Sequence, residues 1–257
     1  MEAGIRDILI ISTSNYVPFF KTLLGDGSDF GIKISYEIQS NPDGLAQAFI
    51  IGEKFIDGEA CVMILGDNIF HGNCFERMLK KAVHDAENGI STIFGYFVDN
   101  PERFGVIEFD CDNNVINIEE KPKLPKSNYC VTGLYFYNKN VCEYAKTIKP
   151  SNRNELEITD LNKIYLNEKK LKVELLDETF IWLDTGTFNS LMEASDYIYD
   201  YYKKTGISLN SPEYMALKNG WITEKEVLNH AKRYSNSPYG DYLKSIIGDY
   251  NGKDKNH

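Results

Sequence analysis

Cys61-Val62-Met63-Ile64-Leu65-Gly66-Asp67-Asn68 is the stretch on which the reading of this chain turns. Five apolar residues in a row suit a strand buried on both faces, and Gly66-Asp67-Asn68 stops the run with turn chemistry. Strands of that kind belong to sheets covered by helices, and the flanking sequence alternates in the same way. Upstream, Ile8-Leu9-Ile10-Ile11 is closed by Ser12-Thr13-Ser14-Asn15 and is expected as another doubly buried strand. Downstream, residues 91–98, 105–109, 115–118, 131–137 and 171–176 are expected strands. Phe75, Met78, Leu79, Ala82, Val83 and Ala86 recur at helical spacing, with Gly89 as the residue after the C-cap. Residues 45–55 and 188–202 carry similar patterns, the second ended by Gly206. The pattern is that of an α/β fold, a sheet with helices on its faces.

From about Ser208 the rhythm changes. Ser211-Pro212-Glu213 is a cap followed by proline in the first helical turn, Thr223-Glu224-Lys225-Glu226 opens a second helix, and Ser237-Pro238 leads to a third. The expected organisation is an α/β domain over 1–207 and a small helical appendage over 208–257, with a frayed polar tail from Asn251. The chain has 257 residues and a net charge of −10, which disfavours nucleic acid and anionic membrane as partners. Anionic small substrates would need local basic residues or a metal to offset that field. Five cysteines without a CxxC pair indicate reduced thiols and a cytoplasmic protein, and no histidine spacing suggests zinc. No apolar run approaches the ~20 residues of a membrane helix.

Two aspartates stand where apolar runs end. Asp67 follows Val62–Gly66, and Asp184 ends Ile181-Trp182-Leu183 before Thr185-Gly186-Thr187. Ligands of open α/β sheets bind at the carboxyl ends of strands, and Mg2+ favours one or two carboxylates with waters and phosphate oxygens. The plainer alternatives are an Asx-turn at Asp67 and a helix cap at Thr187. Glu119-Glu120-Lys121-Pro122 closes a strand; Lys121 is a candidate phosphate or sugar contact and Glu120 a candidate acceptor for sugar hydroxyls, against the alternative of a solvated turn. Gln39 to Gln47 (QSNPDGLAQ) is a turn running into a helix; Gly44 permits close backbone approach, and a glutamine amide can pair with a pyrimidine edge.

Together with PDGLAQA (42–48), the segments LGDNIF (65–70), PERFGV (101–106), EEKP with PKSN (119–128), VTGLYFY (131–137), ELEITD (155–160) and WLDTGT (182–187) resemble the bacterial glucose-1-phosphate thymidylyltransferases, in the same order. The resemblance implies a Rossmann-like mixed sheet flanked by helices, of the nucleotide-diphospho-sugar transferase type, with a sugar-binding lobe. It implies transfer of a nucleoside monophosphate from dTTP to glucose 1-phosphate, giving dTDP-glucose and pyrophosphate with Mg2+, and assembly as a homotetramer. Carried over residue by residue, Asp67 and Asp184 match the metal-binding aspartates. Gln39 and Gly44 match the thymine loop, with Leu45 near the base. Gly105, Glu120 and Val131 match sugar contacts, Lys121 the lysine on the sugar phosphate, and Tyr135 and Trp182 the lining of the same cleft. Lys121 and Asp67 are the expected catalytic residues. Arg153 and Glu155 match contacts related to a regulatory site or subunit interface, with Asn154 in place of the usual glycine.

The family opens with a strand and a LAGGxGTRLxPxT loop whose amides and arginine hold the triphosphate, and the sequence contains no such segment. The expectation is a chain that starts one βα unit late, that unit lying upstream or on a separate polypeptide, with reduced turnover. The competing expectation is a non-catalytic sugar-nucleotide-binding or regulatory homologue. A metal-dependent glycosyltransferase is a third, disfavoured by PDGLAQA and WLDTGT.

Overall fold

The computed structural model describes residues 1–253; the last four residues of the polar tail lie outside it. In chain order its strands are β1 (Asp7–Ser12), β2 (Lys33–Ile38), β3 (Cys61–Ile64), β4 (Asn68–His71), β5 (Ser91–Phe97), β6 (Gly105–Phe109), β7 (Val115–Glu120), β8 (Tyr129–Tyr137), β9 (Leu171–Leu175) and β10 (Ile181–Asp184). Its helices are α1 (Val17–Leu24), α2 (Gln47–Ile51), α3 (Glu53–Ile56), α4 (Phe75–Glu87), α5 (Val141–Thr147), α6 (Ile158–Asn167), α7 (Phe188–Thr205), α8 (Pro212–Lys218), α9 (Glu224–Arg233) and α10 (Pro238–Lys253). The chain divides into two compact units, one of residues 1–10, 15–36 and 187–257, the other of 11–14 and 37–186.

The second unit holds a mixed sheet ordered β7-β6-β8-β5-β9, with β3 also paired to β8. Only β5 and β9 run parallel; the other pairings are antiparallel. β8 is the longest strand and carries the unit. Its residues from Cys130 to Tyr137 are all buried, Gly133 beneath Asn68 and Leu65. Ile93, Ile107, Ile118, Tyr137, Leu161 and Tyr165 form the core beneath α5 and α6. The buried phenols keep hydrogen bonds there: Tyr137 donates to Asn162 Oδ1 at 2.6 Å and Tyr165 to Asn138 Oδ1 at 3.1 Å. Unpaired, each would cost about 1–3 kcal/mol. A tight turn over Gly66 and Asp67 takes the chain from β3 into β4, which pairs antiparallel with β10.

β1 and β2 form a two-stranded ladder, and in the first unit Ile8, Ile10, Ile34 and Tyr36 of these strands pack with Phe30 and Ile32. Val227, Ala231, Leu243 and Ile246 join α9 and α10 in a separate helical core. The predicted caps are in place, Ser211 accepting from the Tyr214 N–H and Thr223 from the Glu226 N–H. A capping box at Thr187 starts α7, and Gly206 ends it in the left-handed conformation.

Several expectations need correction. β1 and β3 are only half-buried instead of covered on both faces, since each has a single partner strand, and Ile64 at the end of β3 is 58% exposed. The helix expected over 45–55 is two short pieces broken at Gly52. The division expected between 207 and 208 falls inside the first unit, where Tyr202 of α7 meets Tyr242 of α10 edge to face. β4 and β10 have four residues each, too short for periodicity to announce them.

The core makes a quantitative demand. Ile118 is fully buried on β7, so Ile118→Ala is expected to lower unfolding free energy by about 2–5 kcal/mol. Denaturant titration measures this, and a loss under ~1 kcal/mol would contradict the packing described.

Candidate active site

The sheet forks at β8. β3 pairs with one edge of β8 up to Ile64 opposite Leu134, and β6 joins the same edge at Val106 opposite Cys130. Neither strand pairs with Val131–Gly133 between them. The carboxyl end of β3 therefore faces the start of β6 across a gap, the kind of opening where α/β sheets bind ligands. Part of the unpaired backbone is satisfied locally: Leu65 N–H donates to Gly133 O at 2.9 Å, and Gly133 N–H donates to Asn68 Oδ1 at 3.1 Å.

At the β3 side of the fork, the LGDN and WLDTGT segments form one corner. Asp184 is the register partner of Asn68 in the β4–β10 ladder. The Thr185 N–H and hydroxyl both donate to the Asp67 carbonyl at 2.9 Å, which brings the two aspartates to one end of the ladder. Asp67 Oδ1 accepts from Asn68 Nδ2 at 2.8 Å, and Asp184 Oδ1 from the Gly186 N–H at 3.1 Å. Among the described residues the Oδ2 atom of each carries no hydrogen bond. Trp182 is nearly buried, edge-on to Phe104 and Tyr96, and its indole N–H donates to Asn68 Oδ1 at 2.6 Å.

On the β6 side, Gly105, Glu120 and Val131, the residues expected at the sugar, lie together. Gly105 pairs with Glu120, and a side chain at Gly105 would meet Thr159 Oγ1 at 3.2 Å, Glu120 Oε2 at 3.6 Å and Val131 at 3.8 Å. Glu120 Oε2 accepts from the Thr159 hydroxyl at 2.5 Å, and its Oε1 lies 3.4 Å from Arg153 and 3.8 Å from Lys121. Lys121 holds a left-handed backbone, φ 42°, with its N–H on Phe104 O. That conformation costs a non-glycine residue about 1–3 kcal/mol. Arg153 is anchored by Glu157 at 2.8 and 2.9 Å. Burial pushes the Glu157 carboxyl up, but Arg153 and Ser151 outweigh it and hold the group below the usual carboxylate range. Lys121 and Arg153 supply positive charge beside Glu120 in a chain of net negative charge.

The loop from Gln39 to Leu45 is stapled to the segment before α6. Leu156 N–H donates to Asp43 O at 2.7 Å and Ala46 N–H to Leu156 O at 3.1 Å. Gly44, φ 103°, is required here because a Cβ would sit 2.4 Å from Leu156 O. Gln39 donates to Gln47 Oε1 at 2.7 Å and Gly44 O at 3.2 Å, while Leu45 is 39% exposed. Tyr135 differs from its expected placement in a cleft wall. It is 4% exposed, stacked on Tyr137 in the core, and burial with the nearby Glu120 charge pushes its phenol well above the ordinary value. Arg153, expected near a regulatory or subunit contact, stands beside Glu120. Thr159 and Asn68 escaped the sequence reading as site residues; the only signal was their place in the EITD and LGDN motifs.

Among the described residues no group of three or more His, Cys, Asp or Glu side chains is arranged around a metal position. Asp67 and Asp184, each with a free carboxylate oxygen at this end of the ladder, nevertheless fit Mg2+, which takes one or two carboxylates and completes its shell with water and substrate phosphate. No described helix is long and apolar enough to cross a membrane.

Known proteins resemble this chain in sequence and fold. The nucleotidyl transferase family profile matches residues 1–200. A glucose-1-phosphate thymidylyltransferase of Neisseria gonorrhoeae is 50% identical over 248 residues, covering 96% of this chain and 85% of that one. One from Mycobacterium tuberculosis is 44% identical over 247 residues, with coverage of 96% and 85%. A Bacillus anthracis protein assigned the same activity, crystallised with sucrose, superposes with a TM-score of 0.71 at 36% identity, over 82% of this chain and 81% of that one. A UDP-glucose pyrophosphorylase bound to UDP-glucose shares the fold at 24% identity and a TM-score of 0.66. The chain belongs to the nucleotidyl transferase family, alongside its glucose-1-phosphate thymidylyltransferases.

Proposed function

We propose that this chain carries the thymidylyltransferase reaction, in which a phosphate oxygen of glucose 1-phosphate attacks the α-phosphorus of dTTP. The new P–O bond forms as the bond to the leaving pyrophosphate breaks, in line and without a covalent enzyme intermediate, so catalysis is positioning and charge neutralisation. The observation that carries this reading is the meeting of Asp67 and Asp184 at one end of the β4–β10 ladder. The two carboxylates would hold Mg2+, which supplies charge neutralisation at the phosphates when bound. Gly105, Glu120 and Val131 would receive the sugar, Glu120 accepting from its hydroxyls with Thr159 fixing the carboxylate. Lys121, with Arg153 beside Glu120, would grip the sugar phosphate. Gln39, Gly44 and Leu45 would bound the thymine, and Trp182 would wall the cleft. Homotetrameric assembly in the cytoplasm belongs to the same reading, in keeping with five free cysteines.

Pyrophosphate release from dTTP and glucose 1-phosphate with Mg2+ tests the proposal. It is measured on the 257-residue chain and on the same chain with a family LAGGxGTRL segment joined ahead of Met1. Release in either form is expected to fall about 100-fold or more in Asp67→Asn and in Asp184→Asn. Wild-type rates in a variant would remove that residue from the site. Silence in both forms, with dTDP-glucose still bound, would sink the catalytic reading in favour of a non-catalytic sugar-nucleotide-binding homologue.

Lys121 offers a second check. Lys121→Gly removes the charge and relieves the left-handed backbone, so the melting midpoint is expected to hold or rise while pyrophosphate release is lost. A lowered midpoint with activity intact would assign Lys121 a structural role instead.

A further inference from the structure

Asn68 makes three side-chain hydrogen bonds, and each goes to a different part of the fork. Its Nδ2 donates to Asp67 Oδ1 at 2.8 Å; its Oδ1 accepts from the Trp182 indole at 2.6 Å and from the Gly133 N–H at 3.1 Å. Its backbone pairs with Asp184. The position is closely packed: a Cβ on Gly133 would lie 2.6 Å from Asn68 Oδ1 and 2.7 Å from its Cγ. Gly133 is thus a glycine because the amide of Asn68 occupies the space above it, where β8 lacks a strand partner.

An amide with its acceptor oxygen held from two sides has a single orientation, which aims its N–H2 group at Asp67. Leucine or alanine at 68 would leave the indole and the Gly133 N–H unsatisfied and Asp67 free to rotate. We propose that Asn68 is the positioning residue of this site, fixing the Asp67 carboxylate against Trp182 and β8 in the orientation that receives a divalent cation. The inference rests on the assignment of Asp67 as a metal ligand. Hydrogen-bond partners of ligating carboxylates typically set metal affinity or activity by about 10- to 100-fold.

Mn2+ alone, titrated into the 257-residue protein and followed by its paramagnetic resonance signal, is the first probe. Asn68→Ala and Gly133→Ala are both expected to weaken Mn2+ binding about 10-fold or more. The second variant keeps every polar group and only displaces the amide. In parallel the Trp182 indole N–H resonance, distinguished from that of Trp221 by Trp221→Phe, should move in both variants. Asn68→Asp keeps the acceptor oxygen and loses the donor. It should retain the indole resonance while kcat falls about 10-fold or more at unchanged KM for glucose 1-phosphate, and it keeps the test available should Asn68→Ala fail to fold. Mn2+ affinity within about twofold of wild type in Asn68→Ala, with binding lost in Asp67→Asn, would overturn the positioning role and leave the metal site standing. Wild-type kcat in Asn68→Asp would overturn it as well. Unchanged binding in Asp67→Asn would instead remove the metal assignment on which the inference rests.

Discussion

One edge of β8 is shared by two strands that do not meet, and the rest of the site follows from that constraint. β3 occupies the edge near Tyr137 and β6 occupies it near Cys130. Backbone groups left between them have to be satisfied without a ladder, since an orphaned buried N–H costs as much as a lost hydrogen bond. Leu65 and Asn68 do this for Gly133. The turn after β3 is thereby tied to β8, which puts Asp67 at the rim of the gap. The same turn bonds Thr185 and so collects Asp184. A requirement of backbone hydrogen bonding has become the geometry of two carboxylates.

On the other rim the logic is electrostatic. Glu120 faces the gap with Thr159 on one oxygen and Arg153 and Lys121 near the other. These cations are partly exposed, so their pairing with Glu120 contributes little to stability. Their value lies in position, because a chain with ten excess negative charges would otherwise repel phosphorylated substrates. The left-handed backbone at Lys121 indicates that the turn holds this side chain where a relaxed residue would not stand.

Much of this was legible in the residues. The apolar run before Gly66, the periodicity from Phe75 to Ala86 and the caps at Ser211 and Thr223 are local signals, and their elements appear within a few residues of expectation. Gly105, Glu120 and Val131, named separately along the chain, lie together in the structure. Tyr135, placed in the cleft lining by the resemblance, lies instead in the core, because β8 is buried on both faces. Gly44 was expected to make room for a ligand, and in the structure it makes room for the backbone of Leu156.

The sequence by itself determined the α/β class, the family and the identity of the acidic and basic groups, because burial patterns and motif order are written along the chain. Tertiary structure alone decided which of those groups meet. Asp67 and Asp184 are 117 positions apart, and only the antiparallel pairing of β4 with β10 joins them. Asn68 and Gly133 explain each other only once β8 is seen to lack a strand there. Local propensity carries no record of such pairings; they arise from satisfying backbone groups across the sheet.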